Sequence, residues 1–140
     1  MRHNKILSAA IALCTIAFFT MGWMPSASAN PTPVSITAHF DPSTYPDEAG
    51  SFTTSGALTI SGDATMHLDC TGARCHCVVT LLASDGTIII HQECQFATSP
   101  AKGRWQIVSG TGAYANLNGN GSLLMPEPPD TEAMTGVIYQ

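Results

Sequence analysis

Residues 30–140 predict an all-β fold of eight short strands. Prolines and glycines interrupt every window long enough to show a 3.6-residue apolar period, so no amphipathic helix is expected. Charged residues are scarce while Gly, Ser and Thr are abundant, a composition suited to short strands joined by turns. The stretch Gly103–Met125 reads as strand, tight glycine turn, aromatic plug, second glycine turn and strand, which is a way of turning a corner in a closed sheet.

The stretch 1–29 stands apart from that fold. Arg2 and Lys5 precede an apolar run from Ile6 to Phe19, and Ala27-Ser28-Ala29 follows before Asn30, the order of a secretory signal peptide. The run is shorter than the roughly 18 to 20 residues of a spanning helix. Leu13 immediately before Cys14 makes a poor lipidation site, so a soluble secreted or periplasmic protein is expected, with no membrane insertion after the signal is removed. The chain from Asn30 to Gln140 suffices for one domain with one core. In it Arg74, Lys102 and Arg104 are the three strong bases against ten carboxylates, a net charge of −7 with histidine neutral. That balance disfavours binding to nucleic acid or to anionic membranes, both of which need a basic footprint.

Strands are expected near Val34–Phe40, Ser51–Ile60, Asp63–Cys70, Cys75–Ala83, Thr87–Phe96, Gly103–Ser109, Gly119–Met125 and Glu132–Tyr139. Two proline-stiffened loops, Asp41–Glu48 and Pro126–Thr131, gather carboxylates. They lack the spacing of a calcium loop and read as solvated rims, and no metal or other cofactor is expected. Asn120-Gly121-Ser122 fits a glycosylation sequon, which matters only in a eukaryotic secretory pathway.

The central hairpin is read from Val78-Val-Thr-Leu-Leu-Ala-Ser-Asp-Gly-Thr-Ile-Ile-Ile90, two apolar runs around Asp85-Gly86, the strongest short signal for a two-residue type I′ turn. That turn sets Ala83 opposite Ile88, Leu81 opposite Ile90, Val79 opposite Gln92 and Cys77 opposite Cys94, on rungs where side chains lie closest. A Cys77–Cys94 disulfide is therefore expected, leaving Cys70 and Cys75 to close a second bridge across Thr71–Arg74. The rival is a metal site built from His67, Cys70, Cys75, His76 and Cys77, but exported thiols are usually oxidised and the Cys-x4-Cys-x-Cys spacing is not a familiar zinc pattern. Alternation places Cys77, Val79, Leu81, Ala83, Ile88, Ile90, Gln92, Cys94 and Phe96 on the core face. His91 and Glu93, otherwise an acid/base pair, fall outside with Thr80 and Gln95. In the preceding hairpin an odd-length turn with a bulge at Ser61-Gly62 is expected, setting Leu58 beside Met66 and Gly56 beside Leu68.

The run Trp105-x-Ile-Val-Ser-Gly-Thr-Gly-Ala-Tyr114, with Asn116-Leu-Asn-Gly-Asn-Gly121 after it, resembles the corner of the allene oxide cyclase and dirigent barrels and of small secreted bacterial proteins sharing that barrel. The resemblance covers Gly103–Tyr139 and implies an eight-stranded antiparallel barrel. Gly110 and Gly112 suit positive φ, Tyr114 and Leu117 suit a plug at the barrel end, and Gly119 and Gly121 suit close backbone approach. A phosphate-cradling role for Ser-Gly-Thr-Gly is disfavoured because no helix follows it. No catalytic residue carries over from those families.

A barrel of eight strands either fills its lumen with side chains or holds one small ligand. The bulky aliphatic face of the central hairpin favours a mostly filled lumen with a cavity near one end at most. The leading expectation is a binding module for a small apolar molecule, with Gln92, Arg104, Trp105, Gln106 and Tyr114 as candidate contacts. Arg104 and Gln106 alternate with Trp105, so one set faces inward and the other outward. The alternatives are a cyclase or isomerase acting on a lipid-derived or phenolic substrate, which needs few groups if it works by orienting, and a protein-interaction module of the envelope or extracellular space.

Overall fold

A computed structural model describes residues 30–126 and 130–140; the expected signal peptide and the middle of the Pro126–Thr131 loop lie outside them. The strands are β1 (Thr32–Phe40), β2 (Asp47–Gly56), β3 (Ser61–Thr71), β4 (Arg74–Ala83), β5 (Gly86–Gln95), β6 (Ala101–Gly110), β7 (Asn118–Met125) and β8 (Thr131–Tyr139). Each pairs antiparallel with its neighbour in the chain, and β1 pairs with β8 to close an eight-stranded barrel. Two 3-10 turns, Pro42–Thr44 and Gly112–Tyr114, lie at opposite ends.

Alternation along every strand sends apolar side chains inward. Val34, Ile36, Ala38 and Phe40 of β1 face Phe52, Met66, Leu81, Ile90, Trp105, Leu123 and Met134 from the other seven strands, all buried. The lumen is thus a packed core. Tyr114 and Leu117 are buried at the end reached by the β4–β5 turn, as a plug requires.

The glycine corner and the central hairpin lock together at that end. Ala83 stands opposite Gly86, so the two-residue turn is Ser84-Asp85 rather than Asp85-Gly86, and no non-glycine residue among those described has positive φ. Gly86 (φ +149°) is instead pressed against the corner, where a Cβ on it would run into the Thr111 carbonyl oxygen. Reciprocally, a Cβ on Gly112 (φ +59°) would run into the Asp85 carbonyl oxygen. The Ala113 N–H donates to that Asp85 oxygen (3.0 Å), and Thr111 Oγ1 accepts from the Thr87 N–H (3.0 Å). The Asp-Gly pair that signals a type I′ turn in isolation serves this docking.

The two-position shift preserves the faces and changes the partners. Cys94 now stands opposite Cys75, and Cys77 opposite Gln92. Cys70 and Cys75 form the disulfide expected across the β3–β4 turn, with Cα atoms 4.1 Å apart. The expected Cys77–Cys94 bridge is not formed: the two residues are diagonal neighbours, and their sulfurs stay 3.9 Å apart as buried free thiols. Alkylation of the denatured, unreduced protein is accordingly expected to label Cys77 and Cys94 and no other cysteine of residues 30–140, with neither reacting before unfolding; four unlabelled cysteines would contradict it.

Three further expectations are corrected. β2 ends at Gly56, with Glu48 opposite Met66 and Phe52 opposite Gly62, so Leu58 and Ile60 lie in the connection rather than beside Met66. Thr54 fixes that connection, its Oγ1 donating to the Leu58 carbonyl (2.8 Å) and accepting from the Ile60 N–H (2.9 Å). Phe96 follows the last residue of β5 and is exposed, not core. The supposed solvated loop Asp41–Glu48 gives its last two residues to β2, which turns Glu48 into the barrel.

Candidate functional site

Two arrangements gather chemically capable side chains. The first is inside, one layer below the end that carries the disulfide. Gln92 of β5 faces inward, as alternation requires, and is buried there; its Nε2 donates across the lumen to Oε2 of Glu132 on β8 (2.8 Å). Because β5 and β8 are not neighbours in the sheet, this bond blocks the cross-section. Glu132 is 1% exposed, and among the described residues its Oε1 has no hydrogen-bond partner. Burial, opposed by the Gln92 hydrogen bond and reinforced by the Glu48 charge, raises the Glu132 carboxyl to about 7. Glu48 is raised as well, by burial first and then by Asp41. The contact with Cys77, then burial and the charge of Glu132, push the Cys94 thiol well up, so it stays protonated and is a poor nucleophile.

Sequence reasoning misses both acids. The signal is available in the alternation: Glu132 shares parity with Met134 and Ile138, and Glu48 with Phe52, all of which point inward.

The second arrangement is on the outer wall. Trp105 faces inward, which sends Arg104 and Gln106 out. Strand register then assembles three transverse rows of outward side chains across β4, β5, β6 and β7. Arg74, Gln95, Lys102 and Leu124 form one, and His76, Glu93, Arg104 and Ser122 the next. Val78, His91, Gln106 and Asn120 form the third. Rows are about 6.7 Å apart along the strands and neighbours about 4.8 Å apart across them. Two hollows of about 630 and 620 Å³ lie on this wall and share His76, Glu93 and Arg104.

All three strong bases of residues 30–140 are in these rows, with two histidines and a single carboxylate. Arg104 donates to Glu93 (3.3 Å) with both side chains largely exposed, so the pair is weakly held in water. Among the described residues Arg74 and Lys102 have no carboxylate within ion-pairing distance. Val108, added to β6 by the bulge opposite Ile89 and Ile90, brings an exposed aliphatic group beside the rows, as Val78 and Leu124 do within them.

No protein-family model matches the chain, and no curated protein matches it.

The remaining sequence candidates separate. Tyr114 is buried at the far end, away from both arrangements. Trp105 lies over a bed of glycine: a Cβ on Gly136 would sit 2.7 Å from its Cζ2, Gly121 is its partner on β7, and its Nε1 donates to the Thr135 carbonyl (3.3 Å). Of the metal cluster weighed from the sequence, His67 is paired with Asp47 (2.6 Å) on the outer surface, while Cys70 and Cys75 are consumed by the disulfide.

Proposed function

We propose that this protein is an exported, disulfide-stabilised binding module that recognises its ligand on its outer wall. The observation that carries this reading is the gathering of Arg74, Lys102 and Arg104 on one hollowed face of an otherwise acidic chain. Charge is costly to concentrate without a use, and a cationic patch on an anionic protein steers anionic partners to one place. The interior offers less: the lumen is crossed by Gln92 and Glu132 and filled by aliphatic and aromatic side chains, so a small apolar guest would have to displace core. Polar-out, apolar-in alternation is also the reverse of a lipid-facing barrel, which supports a water-soluble protein. The Cys70–Cys75 disulfide fits an oxidising compartment, and the resemblance of Gly103–Tyr139 to allene oxide cyclase and dirigent barrels supports kinship with them in fold.

An enzyme reading draws on Glu132, whose carboxyl near neutrality suits proton transfer. It is 1% exposed, and neither outer-wall hollow is lined by it, so a substrate on the wall does not reach it.

The test is a glycan, peptide and metabolite array probed with the labelled protein and with the variant Arg74→Gln/Lys102→Gln/Arg104→Gln. The variant is expected to keep its circular dichroism and melting temperature, because all three side chains are exposed, and to lose the array signals. Signals unchanged in the variant, or a small molecule retained inside the barrel by native mass spectrometry, would sink the reading.

A further inference from the structure

Building on that reading, we infer that the outer wall of β4–β7 docks an acidic peptide segment that also carries aliphatic side chains. Charge names the first half of the ligand. Arg74 and Lys102 stand at two positions of one row, and Arg104 lies one row deeper beside Lys102. The three cations therefore form a triangle with edges of roughly 7 Å, roughly 10 Å and roughly 12 Å by strand spacing, which suits several carboxylates on one chain better than a single anion. The lone opposing group, Glu93, holds Arg104 in an exposed pair that an incoming carboxylate can replace.

Apolar surface names the second half. Val78, Val108 and Leu124 are 39%, 45% and 51% exposed. They flank the polar rows on both sides, and Val78 and Val108 line one hollow while Leu124 lines the other. A partner carrying only charge would leave them in water. The three rows carry no Phe, Tyr or Trp, the broad faces on which sugar rings and nucleobases stack best, and their rings are the two smaller imidazoles of His76 and His91. The closed sheet has no free edge, which rules out main-chain strand addition and leaves recognition to side chains.

The experiment measures fluorescence anisotropy of three labelled peptides of equal length, alternating Glu with Leu, Glu with Ser and Lys with Leu, against the whole protein. The Glu/Leu peptide is expected to bind best and to weaken as salt rises, and the Lys/Leu peptide not to bind. Arg104→Gln and Lys102→Gln should each weaken the Glu/Leu peptide about fivefold, the scale of one exposed ion pair. Val108→Ser, which removes the aliphatic group without adding charge, should weaken Glu/Leu and leave Glu/Ser nearly unchanged. Equal binding of Glu/Ser, or of a polyuronate, would reduce the wall to a general cationic patch and overturn the peptide assignment. So would Glu/Leu binding that ignores all three variants. If no peptide binds while array signals still vanish in the triple variant, this inference fails and the outer-wall reading stands; if the array signals also persist in the variant, both fail.

Discussion

Glu132→Gln is expected to make the barrel more stable at pH 8 and to remove most of its loss of stability between pH 5 and pH 8. The folded carboxyl titrates at about 7, against an ordinary value of 4.5. Between those two values the folded chain holds a proton that the unfolded chain has released, so stability is greatest below the lower value and falls as pH rises through the upper one. The size of the fall is on the order of 3 kcal/mol. Its cause is an ionised Glu132 that, among the described residues, accepts a hydrogen bond from Gln92 alone and leaves its second oxygen without a partner. Glutamine copies the protonated acid in shape and charge, so the variant should keep the acid-side stability at higher pH. A smaller slope in the same direction should persist, because Glu48 is raised too. Urea unfolding followed by Trp105 fluorescence at pH 5, 6.5 and 8 measures this directly. A variant with the wild-type slope would show that Glu132 is not the group responsible.

Trp105→Ala is expected to cost about 3 to 5 kcal/mol, whereas Arg104→Gln and Gln106→Ala, one residue to either side, should stay within about 0.5 kcal/mol. The indole is 2% exposed and rests on Gly121 and Gly136, which contribute no side chain of their own to the lumen. Removing it leaves a hole lined by backbone that the rigid pairing of β6, β7 and β8 cannot collapse, and it strips the Thr135 carbonyl of one donor. Chemical unfolding monitored by circular dichroism distinguishes the three variants. A loss for Trp105→Ala within about 0.5 kcal/mol, the scale of an ordinary surface change, would mean that the ring is not part of the core and would reopen a ligand-contact role for it.

The two glutamates and the tryptophan show what the sequence discloses and what it hides. Faces are legible because they depend only on parity: within its strands the central hairpin sorts its side chains correctly from Cys77 to Cys94, even though its turn lies one residue earlier than Asp-Gly suggests, and parity fails at Phe96 where the strand has ended. Partners are not, because the same shift moves Cys94 from Cys77 to Cys75, and only the contact between Gly86 and the Gly112 corner, distant in the chain, decides it. β2 slides for a related reason. Its Gly-, Ser- and Thr-rich run has few apolar anchors, and Thr54 bonding to the Leu58–Ile60 connection has no sequence signature. Charge misleads for Glu48 and Glu132, which carboxylate solubility assigns to the surface and strand parity sends inward. The cationic wall stays hidden until register aligns Arg74, Lys102 and Arg104, which belong to two strands joined only through β5.

The seam between β1 and β8 sets the order in which the molecule is made. Seven of the eight pairings join strands adjacent in the chain and can form as each turn closes, whereas Thr32–Ile138 and its neighbours join the two ends of the folded region. Pairing so remote in sequence carries the largest loop-closure entropy and is expected to form last. Until it happens both flanking strands present bare backbone, the template on which other copies add. A chain interrupted before Thr131 therefore lacks the strand that closes the barrel on β1, and it is expected to seed aggregation and not to form a smaller barrel.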